Sequence, residues 1–110
     1  MDLVKQVYLV AEQLPSEERF ALRSQVTRAA VSIPSNIAEG SSRQSDLDYK
    51  RFLEMSLGSA FELETQLLIV QELVLIPNPE SLNPLIAELQ NEQRMINGLI
   101  STLIKATKSK

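Results

Sequence analysis

The sequence predicts an all-α fold: one domain over residues 1–110, built as an antiparallel up-down-up-down four-helix bundle. Apolar residues return at steps of three and four along most of the chain, and no stretch alternates as a strand would. The interruptions are short turns rich in Pro, Gly and Ser, and short turns join helices antiparallel. With 110 residues, 44% of them hydrophobic and 23% charged, the chain is long enough for one ordinary core.

Leu3, Val4, Val7, Tyr8, Ala11 and Leu14 mark the first helix. Pro15 ends it by excluding helical geometry from the residue before it. Ser16 is placed to cap a second helix, with Glu17 and Glu18 at the positive end of its dipole. Leu22, Val26, Ala29, Ile33 and Ile37 form its apolar stripe, Pro34 kinks it, and Gly40 is expected to close it in left-handed geometry. Ser45-Asp-Leu-Asp48 resembles a capping box that opens a third helix running to about Ile76. Pro77-Asn-Pro79 stops it. Leu82, Leu85, Leu89, Glu92, Ile96, Leu99 and Leu103 form the seven-residue seam of a fourth helix, capped at Asn83-Pro84 or starting nearer Glu80.

Composition excludes whole classes of chemistry. The chain has neither Cys nor His, which removes disulfides, thiolate nucleophiles, Cys/His zinc sites and imidazole bases. Its three glycines, Gly40, Gly58 and Gly98, form no phosphate-binding loop. Apolar runs such as Leu67–Val70 are far too short to span a membrane, and the amino terminus lacks the long apolar core of a signal peptide. These features lead us to expect a cytoplasmic protein that is not an enzyme, with no cofactor, no metal, no membrane and no small-molecule substrate.

Several polar residues sit where packing alone would place apolar ones. Gln25, Arg28, Ser32, Asn36 and Glu39 share one sector of the second helix at about 100° per residue. Leu53, Leu57, Ala60, Phe61, Leu67, Leu68 and Leu75 are expected to form the inner face of the third, with Glu64 and Gln71 in its midst. A buried carboxylate needs a partner, so we expect Arg28 to meet Glu64, with Asn36 or Gln25 satisfying the rest. A general acid or a carboxylate metal ligand at Glu64 is the competing reading, although a di-iron bundle also requires His. Phe52, Ser59, Leu63 and Val70 lie outside the expected inner face. They make the third helix apolar over about half its girth, which points to a subunit interface and a homo-oligomer. Gly58-Ser-Ala60 removes bulk in mid-helix, as close approach of another helix would require.

The net charge is −3, against the basic excess usual in nucleic-acid domains. Folded antiparallel, however, the bundle gathers Arg43, Lys50, Arg51, Lys105, Lys108 and Lys110 at one pole and glutamates at the other. Lysines there complement a helix dipole; alternatively they give a face for weak contact with RNA or a ribonucleoprotein.

The run Leu22-Arg-Ser-Gln-Val-Thr-Arg-Ala-Ala-Val-Ser-Ile-Pro-Ser-Asn-Ile-Ala-Glu-Gly40 resembles the signature of bacterial four-helix-bundle proteins first noted as reading frames in intervening sequences of 23S ribosomal RNA genes. Phe52-Leu and Gly58-Ser-Ala-Phe-Glu-Leu-Glu-Thr-Gln-Leu67 resemble its second signature, and the likeness covers nearly the whole chain. The resemblance implies a four-helix bundle assembled as a ring, typically a pentamer, without known catalytic activity. A related branch comprises basic accessory proteins of diversity-generating retroelements, which bind nucleic acid and partner a reverse transcriptase. Gln25, Arg28, Ser32, Asn36, Glu39, Gly40, Gly58, Glu62 and Glu64 match the family pattern and are implied to serve architecture or interface. The acidity of this chain departs from the retroelement branch, and its short amino terminus is expected to shorten the first helix.

Overall fold

Apolar stripes on successive helices decide how the chain folds back on itself. The computed structural model describes residues 2–16 and 19–108. It contains α1 (Asp2–Glu12), α2 (Ser24–Ser41), α3 (Asp46–Glu72) and α4 (Asn83–Lys108), and no strand among the described residues. A π-helical turn over Arg19–Arg23 leads into α2, and a 3-10 turn over Pro79–Leu82 leads into α4. The helices alternate in direction; α2 packs along α3, α3 along α4, and α1 lies against α2 and α4. The rod measures 52 × 22 × 19 Å. Val7, Val26, Ala30, Leu53, Leu63, Leu67, Val70 and Leu89 are fully enclosed at its axis. Burying each of the larger of these side chains contributes about 1.5–3 kcal/mol.

The first helix is short, as expected: 11 residues against 27 in α3. At about 1.5 Å per residue it covers less than half the length of α3 or α4, so four helices surround the core over only part of the rod. Pro34 lies inside α2, which nonetheless remains one helical segment. Glu17, Glu18 and Lys110 lie outside the described residues.

Gly40 does not close α2 in left-handed geometry, because no described glycine has positive φ. The helix runs on to Ser41, where the Ser42 N–H caps the Glu39 carbonyl at 3.3 Å and the Arg43 N–H that of Gly40 at 3.1 Å. Closure of α3 is where left-handed backbone occurs. The helix ends at Glu72, earlier than Ile76, with Val74 at φ 51°. The Leu75 N–H donates to the Val70 carbonyl at 3.0 Å and the Val74 N–H to that of Gln71 at 3.1 Å, the paired bonds of a Schellman closure. At the other end Ser45 caps α3 as expected, its Oγ accepting the Asp48 N–H at 3.1 Å.

Two helices are turned from the expected phase. The inner face of α3 is Leu53, Ser56, Ala60, Leu63, Gln66, Leu67 and Val70, whereas Phe61 and Leu68 are 50% and 46% exposed. Ser56 and Gln66 are polar members of the true stripe, and they concealed its 3–4 stepping. In α4, Gln93 and Ile100 face inward while Leu99 is 43% exposed and Glu92 half-buried. A straight helix drifts by about 20° per heptad against a strict seven-residue repeat, enough over α4 to exchange these neighbours.

Candidate functional site

The two signature segments meet across the α2–α3 contact. Small side chains there let the helices approach, and their hydroxyls find protein partners as the contact displaces water. Ser32 Oγ and Ser59 Oγ lie 2.7 Å apart, sharing one hydrogen bond between the helices. Asn36 Nδ2 donates to Ser32 Oγ at 2.8 Å and to the Ser32 carbonyl at 2.9 Å. Ser56, fully buried, donates to the Ile33 carbonyl at 2.8 Å, immediately before Pro34. At the end of this seam Gly40 is buried; a Cβ there would stand 2.7 Å from Phe52 Cβ and 2.9 Å from Tyr49 Cδ1. Arg43 closes the turn, pairing with Glu39 and lying 4.8 Å from the centre of the Phe52 ring.

Glu64 is not paired with Arg28. Its carboxylate accepts Gln90 Nε2 at 2.9 Å and Gln93 Nε2 at 2.8 Å, both from α4. The amide hydrogen bonds from Gln90 and Gln93 hold its carboxyl below the ordinary value of 4.5, against an opposing push from desolvation. Arg28 and Gln25 are exposed instead, because their sector of α2 passes beyond the α3 contact. Asn36 serves Ser32 and not Glu64. Gln71 links α3 to the next turn, donating to Asn83 Oδ1 at 2.7 Å and to the Pro79 carbonyl at 3.2 Å. Gln66 donates to Glu62 Oε1 at 3.1 Å, while its own oxygen is buried without a partner.

The four residues assigned to a subunit interface are used within the protomer. Leu63 and Val70 are 0% exposed, Phe52 packs over Gly40, and Ser59 is bound to Ser32. The outward half of α3 instead presents Leu47, Met55, Phe61, Leu68 and Ile69, each between 42% and 57% exposed. The apolar girth of this helix is real, and a phase error moved the residues that form it.

At the basic pole, Lys50 and Lys108 line one groove with Leu47, Ile104 and Thr107. Much of the charge there is already countered. Arg43 pairs with Glu39, Lys50 with Glu54 at 3.4 Å and Arg51 with Asp48 at 3.5 Å. Lys105 and Lys108 occupy the last turn of α4, where they complement its dipole.

Among the described residues, no three Asp, Glu, His or Cys side chains gather in metal-ligating geometry. No helix there is long and apolar enough to cross a membrane. Sequence reasoning missed Ser56, Gln90 and Gln93. For Ser56 the signal was its place in the run Leu53, Ser56, Ala60, Leu63, Leu67; for Gln90 and Gln93 it was their i, i+3 spacing, which sets two amides on the same side of α4.

The sequence profile of the 23S rRNA-intervening sequence protein family matches residues 1–98. A comparison with curated proteins yields no match. Among solved structures, the chain is similar to a protein of unknown function from the S23 ribosomal protein family of Bacteroides thetaiotaomicron. That likeness has a TM-score of 0.70 at 24% identity, covers 94% of this chain and 93% of the other, and shows the shared four-helix fold.

Proposed function

The chain belongs to the 23S rRNA-intervening sequence protein family, and from that premise we propose that it acts by assembly, as a homo-oligomeric cytoplasmic scaffold or accessory protein that catalyses no reaction. The observation that carries this reading is the outward face of α3, where five large apolar side chains stand 42–57% exposed. Apolar surface concentrated on one helix, and not scattered singly, is the usual mark of a protein contact. Gly58 adds support. It lies on that exposed face with nothing within 4 Å of where a Cβ would be, so the cost of about 1 kcal/mol of a mid-helix glycine is not offset inside the protomer. The ring of five implied by the resemblance is the form we expect. Light scattering at micromolar concentration tests the reading: a mass several times that of the protomer is expected, and a monomer defeats it.

A second reading, contact with RNA or a ribonucleoprotein, draws on the convergence of Lys50 and Lys108. It is weakened by the carboxylates that already engage Arg43, Lys50 and Arg51. It requires RNA affinity that falls steeply with salt and weakens when Lys50, Arg51, Lys105 and Lys108 are neutralised. Binding indifferent to both removes it.

A further inference from the structure

The short first helix leaves one track of the bundle unfilled. Gln6 Nε2 donates to Glu88 Oε2 at 3.2 Å, which fixes the side of α4 that faces α1. By helical steps of three and four, that side continues through Glu92, Met95, Leu99 and Leu103. The amino end of α1 opens onto a cavity of about 240 Å³, whose walls include Asp2, Leu3, Ile37, Glu88 and Glu92. Among the described residues nothing continues α1 past this point, and Met95 and Leu99 stand 65% and 43% exposed. Across from them α2 presents Pro34, Ile37 and Ala38. From Glu92 to Leu103 the open track is about 16 Å long, about three helical turns. We propose that this track receives a basic amphipathic helix from another protein, lying end to end with α1. The contact is separate from the self-assembly proposed above.

Shape and charge together define the occupant. α2 and α4 flank α1 on either side, so the space that continues its axis has the width of one helix. The apolar lining of that space calls for apolar residues at helical spacing. At the α1 end three carboxylates, Asp2, Glu88 and Glu92, line one cavity, and no described basic side chain pairs with any of them. A Lys or Arg of the incoming helix supplies the missing charge. Run in the direction of α1, that helix brings its carboxyl-terminal turn to the carboxylates, where basic residues also complement its dipole. The outward face of α3 in a second copy does not match. Glu54 and Glu72 are exposed on it, and no basic residue occurs over positions 55–71, so its apolar stretch brings no cation to the carboxylates.

The test is fluorescence anisotropy of the full chain with two labelled synthetic peptides, each of about three helical turns. Both carry leucines at steps of three and four on an alanine background, and a side-chain staple holds them helical, which lowers the cost of ordering. One ends in two lysines, the other in two glutamates. The lysine peptide should bind the unmodified chain with a Kd below about 100 μM, and the glutamate peptide about ten-fold more weakly or worse. Glu88→Gln with Glu92→Gln should weaken the lysine peptide about ten-fold. Met95→Ser with Leu99→Ser should weaken it about ten-fold or more, the scale of losing an interface anchor. All four side chains are at least partly exposed, and circular dichroism and melting establish that each variant folds. The proposal is overturned if the lysine peptide does not bind, if the glutamate peptide binds equally, or if either folded variant retains full affinity. A fall in the oligomeric mass of the Met95/Leu99 variant would assign the track to a second copy and equally overturn it. The assembly reading is judged by the mass of the unmodified chain without peptide, so each can fail while the other stands.

Discussion

At position 40 a side chain has no room. A Cβ would meet Phe52 Cβ at 2.7 Å, and that atom is fixed to the backbone of α3, so the helices themselves would have to separate. Gly98, by contrast, has open space around it. The same substitution should therefore have opposite effects. Gly40→Ala should lower stability by about 1–3 kcal/mol through overpacking, despite the better helix propensity of alanine. Gly98→Ala should raise stability by about 0.5–1 kcal/mol. Thermal melts of the two variants decide it, and equal shifts in the same direction would contradict the close approach at Gly40. Glu64 gives a second residue-scale expectation. Hydrogen bonds from Gln90 and Gln93 depress its folded pKa below 4.5, so its stabilising contribution is complete above that value. The contribution is lost as pH falls through the folded value. Melting of the unmodified chain from about pH 6 to about pH 3 should show a steeper decline than melting of Glu64→Gln. Parallel declines would show that this carboxylate contributes nothing.

Among the elements, the α2–α3 seam carries the most specific information. Ser32 and Ser59 share their hydrogen bond in a half-buried setting, and a double-mutant cycle to alanine should give a coupling of about 0.5–1.5 kcal/mol. Coupling near zero would reduce the seam to coincidence. The closure of α3 is a second test. Val74 is β-branched yet held at φ 51° and 66% exposed. Val74→Gly should raise the melting temperature, since left-handed backbone costs a residue with a Cβ about 1–2 kcal/mol; a fall would mean that the side chain contributes more than the strain removes. Helix number, order and the cap at Ser45 were legible because caps and breakers act locally. Helix phase was not. In α3 apolar residues occur on nearly every side, so periodicity alone chose Phe61 and Leu68 over Leu63 and Val70. The presence of a polar cluster near Glu64 was likewise legible, but its partners were not. Arg28 is the obvious charge complement, whereas the observed donors, Gln90 and Gln93, come from α4 and are neutral.

On the scale of the whole molecule, the rod is incompletely closed. Its first helix spans 11 residues while α3 and α4 span 27 and 26. Small residues on α2 and large apolar ones on α3 remain at the surface. Arg43, Lys50 and Arg51 are paired within the protomer, while the exposed face of α3 is apolar, and this sets the salt dependence expected of assembly. Burial of apolar surface is little affected by moderate salt, whereas phosphate binding is released by it. Raising salt from about 0.05 M to about 0.5 M should therefore leave self-association nearly unchanged, and dissociation on that change would assign assembly to charge pairs. The most direct measurement is sedimentation equilibrium of the unmodified chain at micromolar concentration. The account predicts one species whose mass is an integral multiple of the 12.3 kDa protomer, five-fold for the ring we propose; a mass of 12.3 kDa itself would contradict it.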